Sequence, residues 1–191
     1  MRAVVFDCFG VLCGSSYELL LAECAPERVS DLKNLNKQAD YGYISGEEYV
    51  AGVAEILGWT RERAADVIRQ ARARNEPLIS YVKNIHERGA KTALLSNVSS
   101  DTLRDLFAAG ELEVMFDEQI LSFAERLAKP NPAVFELVAE RLGVDPADCL
   151  MIDDRIENCE GAEVAGMEAA LHATNFQTIQ RVDAWLGEKN A

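Results

Sequence analysis

Four apolar residues, Ala3-Val4-Val5-Phe6, run directly into the carboxylate of Asp7, and Gly10 lies in the turn that follows. A run this short and this apolar has the pattern of a strand buried on both faces, and such strands belong to parallel sheets. Open parallel sheets bind their ligands beyond the carboxyl ends of the strands. An acid at that point therefore constrains both the architecture of the chain and the place where its chemistry would be done.

Three later segments repeat the arrangement. Lys91–Leu95 reads as a strand followed by Ser96-Asn97, and Cys149–Ile152 as a strand followed by Asp153-Asp154. Lys129-Pro130 stands at a loop-to-helix junction, where Asn131 and Pro132 open a helix that Gly143 closes. From about Lys91 onward strand and helix alternate, with helices expected over Ser100–Ala108, Glu157–Ala165 and Thr178–Leu186 and strands over Glu118–Ser122 and Glu168–Leu171. The pattern predicts an α/β fold, a Rossmann-like doubly wound parallel sheet with right-handed crossovers.

Between Cys13 and about Glu76 strand patterns disappear. Ser45-Gly46-Glu47-Glu48 is a capping box opening a helix that carries Val50, Val53, Ala54 and Leu57 and stops at Gly58. Helices over Arg61–Ala73 and Pro77–Arg88 follow. The expected organisation is a core of residues 1–13 and 77–191 with a small helical cap, residues 14–76, covering the crevice as a lid.

Composition narrows the class. A net charge of −13 argues against a nucleic-acid-binding face and requires that any anionic substrate be met by local positive charge. No apolar stretch approaches the roughly 20 residues that cross a bilayer, and the N-terminus lacks a signal pattern. A cytoplasmic protein without membrane or nucleic-acid partners is the expectation. The five cysteines show no CxxC pair and read as buried structural thiols. No exposed apolar stripe marks an oligomer interface.

Asp7 and the pair Asp153-Asp154 would repel one another if brought together with nothing between them. Mg²⁺ resolves this, since it binds through one or two carboxylates, water and substrate phosphate. Lys129 would add a second positive charge, and Ser96 with the backbone amides of Asn97 and Val98 could donate to phosphate oxygens. Such a site can perform phosphoryl transfer through an aspartyl-phosphate that water then hydrolyses.

These residues resemble the motifs of the haloacid dehalogenase-like (HAD) superfamily. Val5-Phe6-Asp7-Cys8-Phe9-Gly10-Val11-Leu12 is similar to its first motif, Leu94-Leu95-Ser96-Asn97 to its second, Lys129-Pro130-Asn131-Pro132 to its third, and Met151-Ile152-Asp153-Asp154 to its fourth. The resemblance implies Asp7 as nucleophile, Ser96 as a phosphoryl contact, Lys129 as the motif lysine and Asp154 as a direct Mg²⁺ ligand. Asp153 would act directly or through water, the carbonyl of Phe9 would also ligate, and the substrate would be a small phosphorylated metabolite.

Phe9 departs from the pattern, because most of the family's phosphatases carry an acid/base aspartate there. Losing a positioned acid/base costs on the order of 10²–10⁴ in rate, which predicts a slow enzyme or one restricted to good leaving groups. Two alternatives stay open: a non-catalytic phosphate-ligand or partner-binding protein, and a 2-haloacid dehalogenase. The family's dehalogenases carry an aromatic residue here but generally lack the acidic pair, and no cap arginine of theirs has an evident counterpart. Asn97 is expected to shape its loop and Asn158 to brace Asp154. Arg28, Lys33 and Lys37 could reach substrate, Tyr41, Tyr43 and Trp59 read as cap core, and His86 and His172 as structural.

Overall fold

A computed structural model describes residues 1–99 and 102–187. Five strands form one parallel sheet in the order β3-β2-β1-β4-β5. They are β1 (Ala3–Phe6), β2 (Lys91–Ser96), β3 (Glu118–Leu121), β4 (Cys149–Asp153) and β5 (Glu168–Leu171). The strand bearing Asp7 is central: Ala3 lies beside Lys91 on one side and Cys149 on the other. The order of pairing reverses direction at β1, so the crevice outside its carboxyl end is a topological switch point.

Alternation along the strands divides the core between the two sheet faces. Val4, Phe6, Leu94, Leu150 and Ile152 pack against α5 (Glu76–Glu87), through Leu78, Ile79, Val82 and Ile85, and against α9 (Asn175–Gly187). Each such aliphatic, fully withdrawn from water, contributes about 1.5–3 kcal/mol. Trp185 of α9 also donates its indole N–H to the Ala3 carbonyl at 3.0 Å, tying the closing helix to β1. On the opposite face Val5, Ala93, Leu95 and Met151 meet α7 (Pro132–Leu142), with Ala162 of α8 (Ile156–Val164) in the same cluster. The α/β doubly wound fold expected from the sequence is the fold observed.

Four helices lie between β1 and α5: α1 (Tyr17–Ala22), α2 (Val29–Asp40), α3 (Gly46–Leu57) and α4 (Arg61–Ala71). They pack around an apolar cluster of their own that includes Leu20, Leu32, Tyr49, Val53 and Ile68. The capping box forms as the sequence specifies, the Ser45 hydroxyl accepting from the Glu48 amide at 3.2 Å and the Glu48 carboxylate accepting from the Ser45 amide at 2.8 Å. Gly58 ends α3 in the left-handed conformation. Where the chain leaves and re-enters the sheet it is cross-braced: Gly14 N–H donates to the Ala73 carbonyl, and Asn75 N–H and Nδ2 donate to Leu12 and Val11, each at 2.8 Å.

Local expectations need correction at several points. The helix expected over Ser100–Ala108 is a short 3₁₀ turn, Thr102–Asp105, its first two residues lying outside the described ones. Leu103 and Phe107 point into the core as a helical period would place them, but Arg74 donates to the Leu106 carbonyl, a group that a continuing helix would have used. Ser122 leaves β3 to open a one-turn helix, α6 (Ser122–Glu125). α4 ends at Ala71 rather than Ala73. Tyr43 is 71 % exposed and stacks on Tyr41 rather than entering the core, while Trp59 packs at its edge. His86 and His172 bond to Thr92 and Thr178 as structural groups do. No helix among the described residues is long and apolar enough to cross a membrane.

Candidate active site

The carboxyl ends of three neighbouring strands bring the motif residues together. Asp7 follows β1, its amide bonded at 2.9 Å to the Ile152 carbonyl of β4. Ser96 ends β2, and Asp153 ends β4 with Asp154 next in the chain. Lys129 comes from the loop before α7, preceding a cis peptide to Pro130. Asn97 fixes that loop: its Nδ2 donates to the Lys129 carbonyl and its Oδ1 accepts from the Lys129 amide, both at 2.9 Å. The side chain of Asn97 is thus committed to positioning Lys129.

Lys129 Nζ lies 2.7 Å from Asp7 Oδ1 and 2.7 Å from Asp153 Oδ2, with all three side chains under a tenth exposed. Burial opposes the lysine's charge, but Asp153 and Asp7 outweigh it and raise its pKa. Burial likewise pushes the Asp7 carboxyl up, against the pull of Lys129. The repulsion that the sequence suggested a metal would relieve is therefore relieved in large part by this ammonium group. Asp7 Oδ1 also accepts from the Cys8 amide at 2.6 Å. Oδ1 thus carries both bonds, and among the described residues Oδ2 is left without a partner.

Asp153 is engaged at both oxygens, Oδ2 by Lys129 and Oδ1 by the Arg155 amide at 3.0 Å and Asn158 Nδ2 at 2.9 Å. Asn158 thus braces Asp153 and not Asp154, because a side chain one turn into α8 reaches back to the strand end. Asp154 differs: its Oδ1 is buried with no hydrogen-bond partner among the described residues. Burial, then the charge of Asp153, raises its pKa to about 6.

Gly10 makes the space for this carboxylate. It has φ +86°, and a Cβ there would lie 2.0 Å from Asp154 Oδ2. Ligand oxygens of Asp7, Asp153 and Asp154 lie within 4.8 Å of one another, near the roughly 4.2 Å that separates opposite ligands around Mg²⁺. An orphaned buried oxygen, an all-oxygen donor set and a cradle that a side chain would fill fit a hard divalent cation.

The crevice opens into a cavity of about 140 Å³ walled by both the sheet ends and the helices of residues 14–76. Asp7, Phe9, Asn97, Lys129 and Asp154 line it. Ser96 does not, but its hydroxyl is buried and has no partner among the described residues. The Val98 amide, expected to be free for phosphate, donates instead to Ser122 Oγ at 2.9 Å. Ser122 Oγ in turn donates to the Asp40 carbonyl, so one hydroxyl joins the end of α2 to the loop after β2.

Arg28, Lys33 and Lys37 stay outside the cavity, Arg28 pairing with Asp31 at 2.6 Å. The polar groups that the helical segment does present include Tyr17, Glu18, Asn36, Asp40, Tyr49 and Arg72. None was singled out by the sequence. Their one local signal is position: Asn36 and Asp40 are one turn apart on α2, bonded at 3.1 Å.

A central acid at the switch point of a parallel sheet, ion-paired to a loop lysine beside a second acidic pair, marks a doubly wound α/β protein with an aspartate-centred site. A family model for haloacid dehalogenase-like hydrolases matches residues 1–166, and the chain belongs to that family. It is 29 % identical over 93 % of its length, and 90 % of the other's, to Phosphatase MT3486 of Mycobacterium tuberculosis. It is also 29 % identical to the (S)-2-haloacid dehalogenase of Xanthobacter autotrophicus, over 89 % of this chain and 74 % of that one. A HAD family enzyme from Bacteroides thetaiotaomicron, crystallised with magnesium and inorganic phosphate, superposes with a TM-score of 0.70. That match covers 92 % of this chain and 96 % of the other at 20 % identity, a likeness of fold.

Proposed function

We propose that the chain hydrolyses small phosphomonoesters with Mg²⁺ held by Asp7, Asp154 and the carbonyl of Phe9, Asp153 lending its charge. The observation that carries this reading is the pair of carboxylate oxygens without partners among the described residues, Asp7 Oδ2 and the buried Asp154 Oδ1, on acids whose ligand atoms lie within 4.8 Å. A bound cation would neutralise phosphoryl oxygens. A carboxylate oxygen of Asp7 attacks phosphorus, the ester P–O bond breaks, and its electron pair leaves on the alcohol oxygen, which takes its proton from water. Water then attacks the aspartyl-phosphate, releasing inorganic phosphate and restoring the carboxylate. Lys129 opposes the burial that raises the Asp7 pKa and so favours its anionic form, Ser96 donates to a phosphoryl oxygen, and Asn97 holds Lys129 in place while its own backbone amide serves the phosphate. Phe9 supplies no proton, so turnover is slow and favours good leaving groups. Residues 14–76 act as the cap over the cavity, and five free, buried cysteines suit a reducing, cytoplasmic setting.

Dehalogenation of 2-haloacids is the second reading, supported by aromatic Phe9 and by the relative of that name. The intact acidic pair weighs against it. Release of phosphate from an aryl phosphate, abolished by chelation and by Asp7→Asn, supports the phosphatase. Halide release from 2-chloropropanoate without metal would replace it. Silence in both assays with Mg²⁺ still bound would leave a phosphate-ligand-binding protein.

A further inference from the structure

Three cations line the cavity, and two are accounted for. Lys129 pairs with Asp7 and Asp153, and Arg155 with Glu157 at 3.8 Å. Arg72, just past the end of α4, is different: among the described residues no carboxylate comes within 4.0 Å of it, and its guanidinium N–H groups find no acceptor. Its one close partner is the ring of Phe9, whose centroid lies 5.1 Å from the guanidinium carbon. With no hydrogen bond or ion pair to these donors among the described residues, the guanidinium keeps available the fork that matches a carboxylate.

The position bears on the substrate. Phe9 is two residues past Asp7, and Phe9, Arg72 and Asp7 wall the same small cavity. Arg72 also lies on the wall of an adjoining cavity of about 460 Å³, which Asp105 lines as well. Asp40 and Glu18 line the first cavity beside Asp7 and Asp154. Asp40 is met by Asn36 and lies in the field of Arg155; none of these acids pairs with Arg72 within 4.0 Å, and Asp105 acts on it through its field alone.

We propose that Arg72 binds a second anionic group, a carboxylate on the leaving portion of the substrate, making small phosphorylated carboxylic acids the preferred class. This rests on the phosphatase reading for the position of the phosphoryl group, and its test does not need turnover. The probes are phosphonoacetate, which carries the carboxylate, and ethylphosphonate, which does not, each titrated calorimetrically into the Mg²⁺-loaded protein. A charge-assisted fork of this kind predicts about ten- to a hundredfold tighter binding of phosphonoacetate.

Arg72→Met should bring the two ligands to within about threefold of each other, and Arg72→Lys should restore part of the difference. Equal affinities in the wild-type protein would overturn the proposal, as would a preference that survives Arg72→Met. In turnover, 3-phosphoglycerate should exceed glycerol 3-phosphate in kcat/KM by a similar factor. A phosphonoacetate preference without phosphate release from any ester would uphold the role of Arg72 and refute the catalytic reading alone.

Discussion

Gly10 and Asp154 lie so close that the loop after β1 tolerates no side chain at position 10: a Cβ there would stand 2.0 Å from Asp154 Oδ2, on a backbone with φ +86°. Gly10→Ala is therefore expected to strain the loop and displace the acid whose buried oxygen lacks a partner among the described residues. The strain alone should destabilise by more than about 1 kcal/mol. Mg²⁺ affinity should fall by about tenfold or more, as when support around a metal site is disturbed. Calorimetric Mg²⁺ titration alongside thermal melts checks both. Unchanged affinity would mean that Asp154 does not hold the ion.

Lys129 stands between two buried carboxylates. Removing one partner of a buried pair costs about 3–5 kcal/mol because the remaining charge is left uncompensated. Lys129→Met should lose about that much by urea denaturation without metal and regain more from added Mg²⁺ than the wild type does. Equal gains in the two proteins would show that the ion and the lysine do not answer the same charges.

Asn97 acts on Lys129 through the backbone, by a reciprocal pair of 2.9 Å bonds. Asn97→Ala removes both and should cost about 1–3 kcal/mol in stability. Its effect on turnover should be matched by Asn97→Asp, which cannot donate to the Lys129 carbonyl. If Asn97→Ala turned over normally, the placement of the lysine would not depend on this contact.

Restoring an acid at the position of Phe9 is the direct test of the missing proton donor, but Arg72 complicates it. A carboxylate introduced there would meet the guanidinium now stacked on the ring and be held ionised, unable to donate. Phe9→Asp alone should gain little on phenyl phosphate, whereas Phe9→Asp combined with Arg72→Met should gain up to about 10² in kcat. Equal rates for the single and double variants would show that Arg72 does not control the new acid.

Asp40 is a buried acid whose pKa burial raises to about 6. Its folded-state value lies above that of an unfolded carboxylate, near 4. The native state therefore holds the extra proton between those values, and the group's destabilising effect sets in as pH rises through the window. Asp40→Asn should raise the melting temperature at pH 7.5 and leave it unchanged at pH 3.5. A gain of the same size at both values would locate the effect outside the titration.

The parts of the site legible in the sequence are those fixed by strand ends. Asp7, Ser96 and Asp153 terminate apolar runs whose pairing follows from the alternation of strand and helix, so their convergence could be read before any contact was known. The partners of Lys129 were less legible, because the bonds that place it come from Asn97, 32 residues away. Arg72 was hidden in a basic stretch, Arg69 to Arg74, that reads as a solvated helix end. Which of its cations turns inward depends on how α4 packs against the loop carrying Phe9, and no local period encodes that. The segment after β2 misled for the opposite reason: Leu103, Leu106 and Phe107 keep a helical period, yet Arg74 takes the carbonyl that would have continued the helix.

The centrality of β1 sets an order of events. Its neighbours at Ala3 are Lys91 and Cys149, so the segment bearing Asp7 precedes both of its partners in the chain and is enclosed only once β4 has been made. Until then an apolar edge ending in Asp7 waits unpaired, a slow, non-local closure of the kind that exposes a chain to aggregation. A strand made ahead of both its neighbours is thus among the last to gain its full pairing.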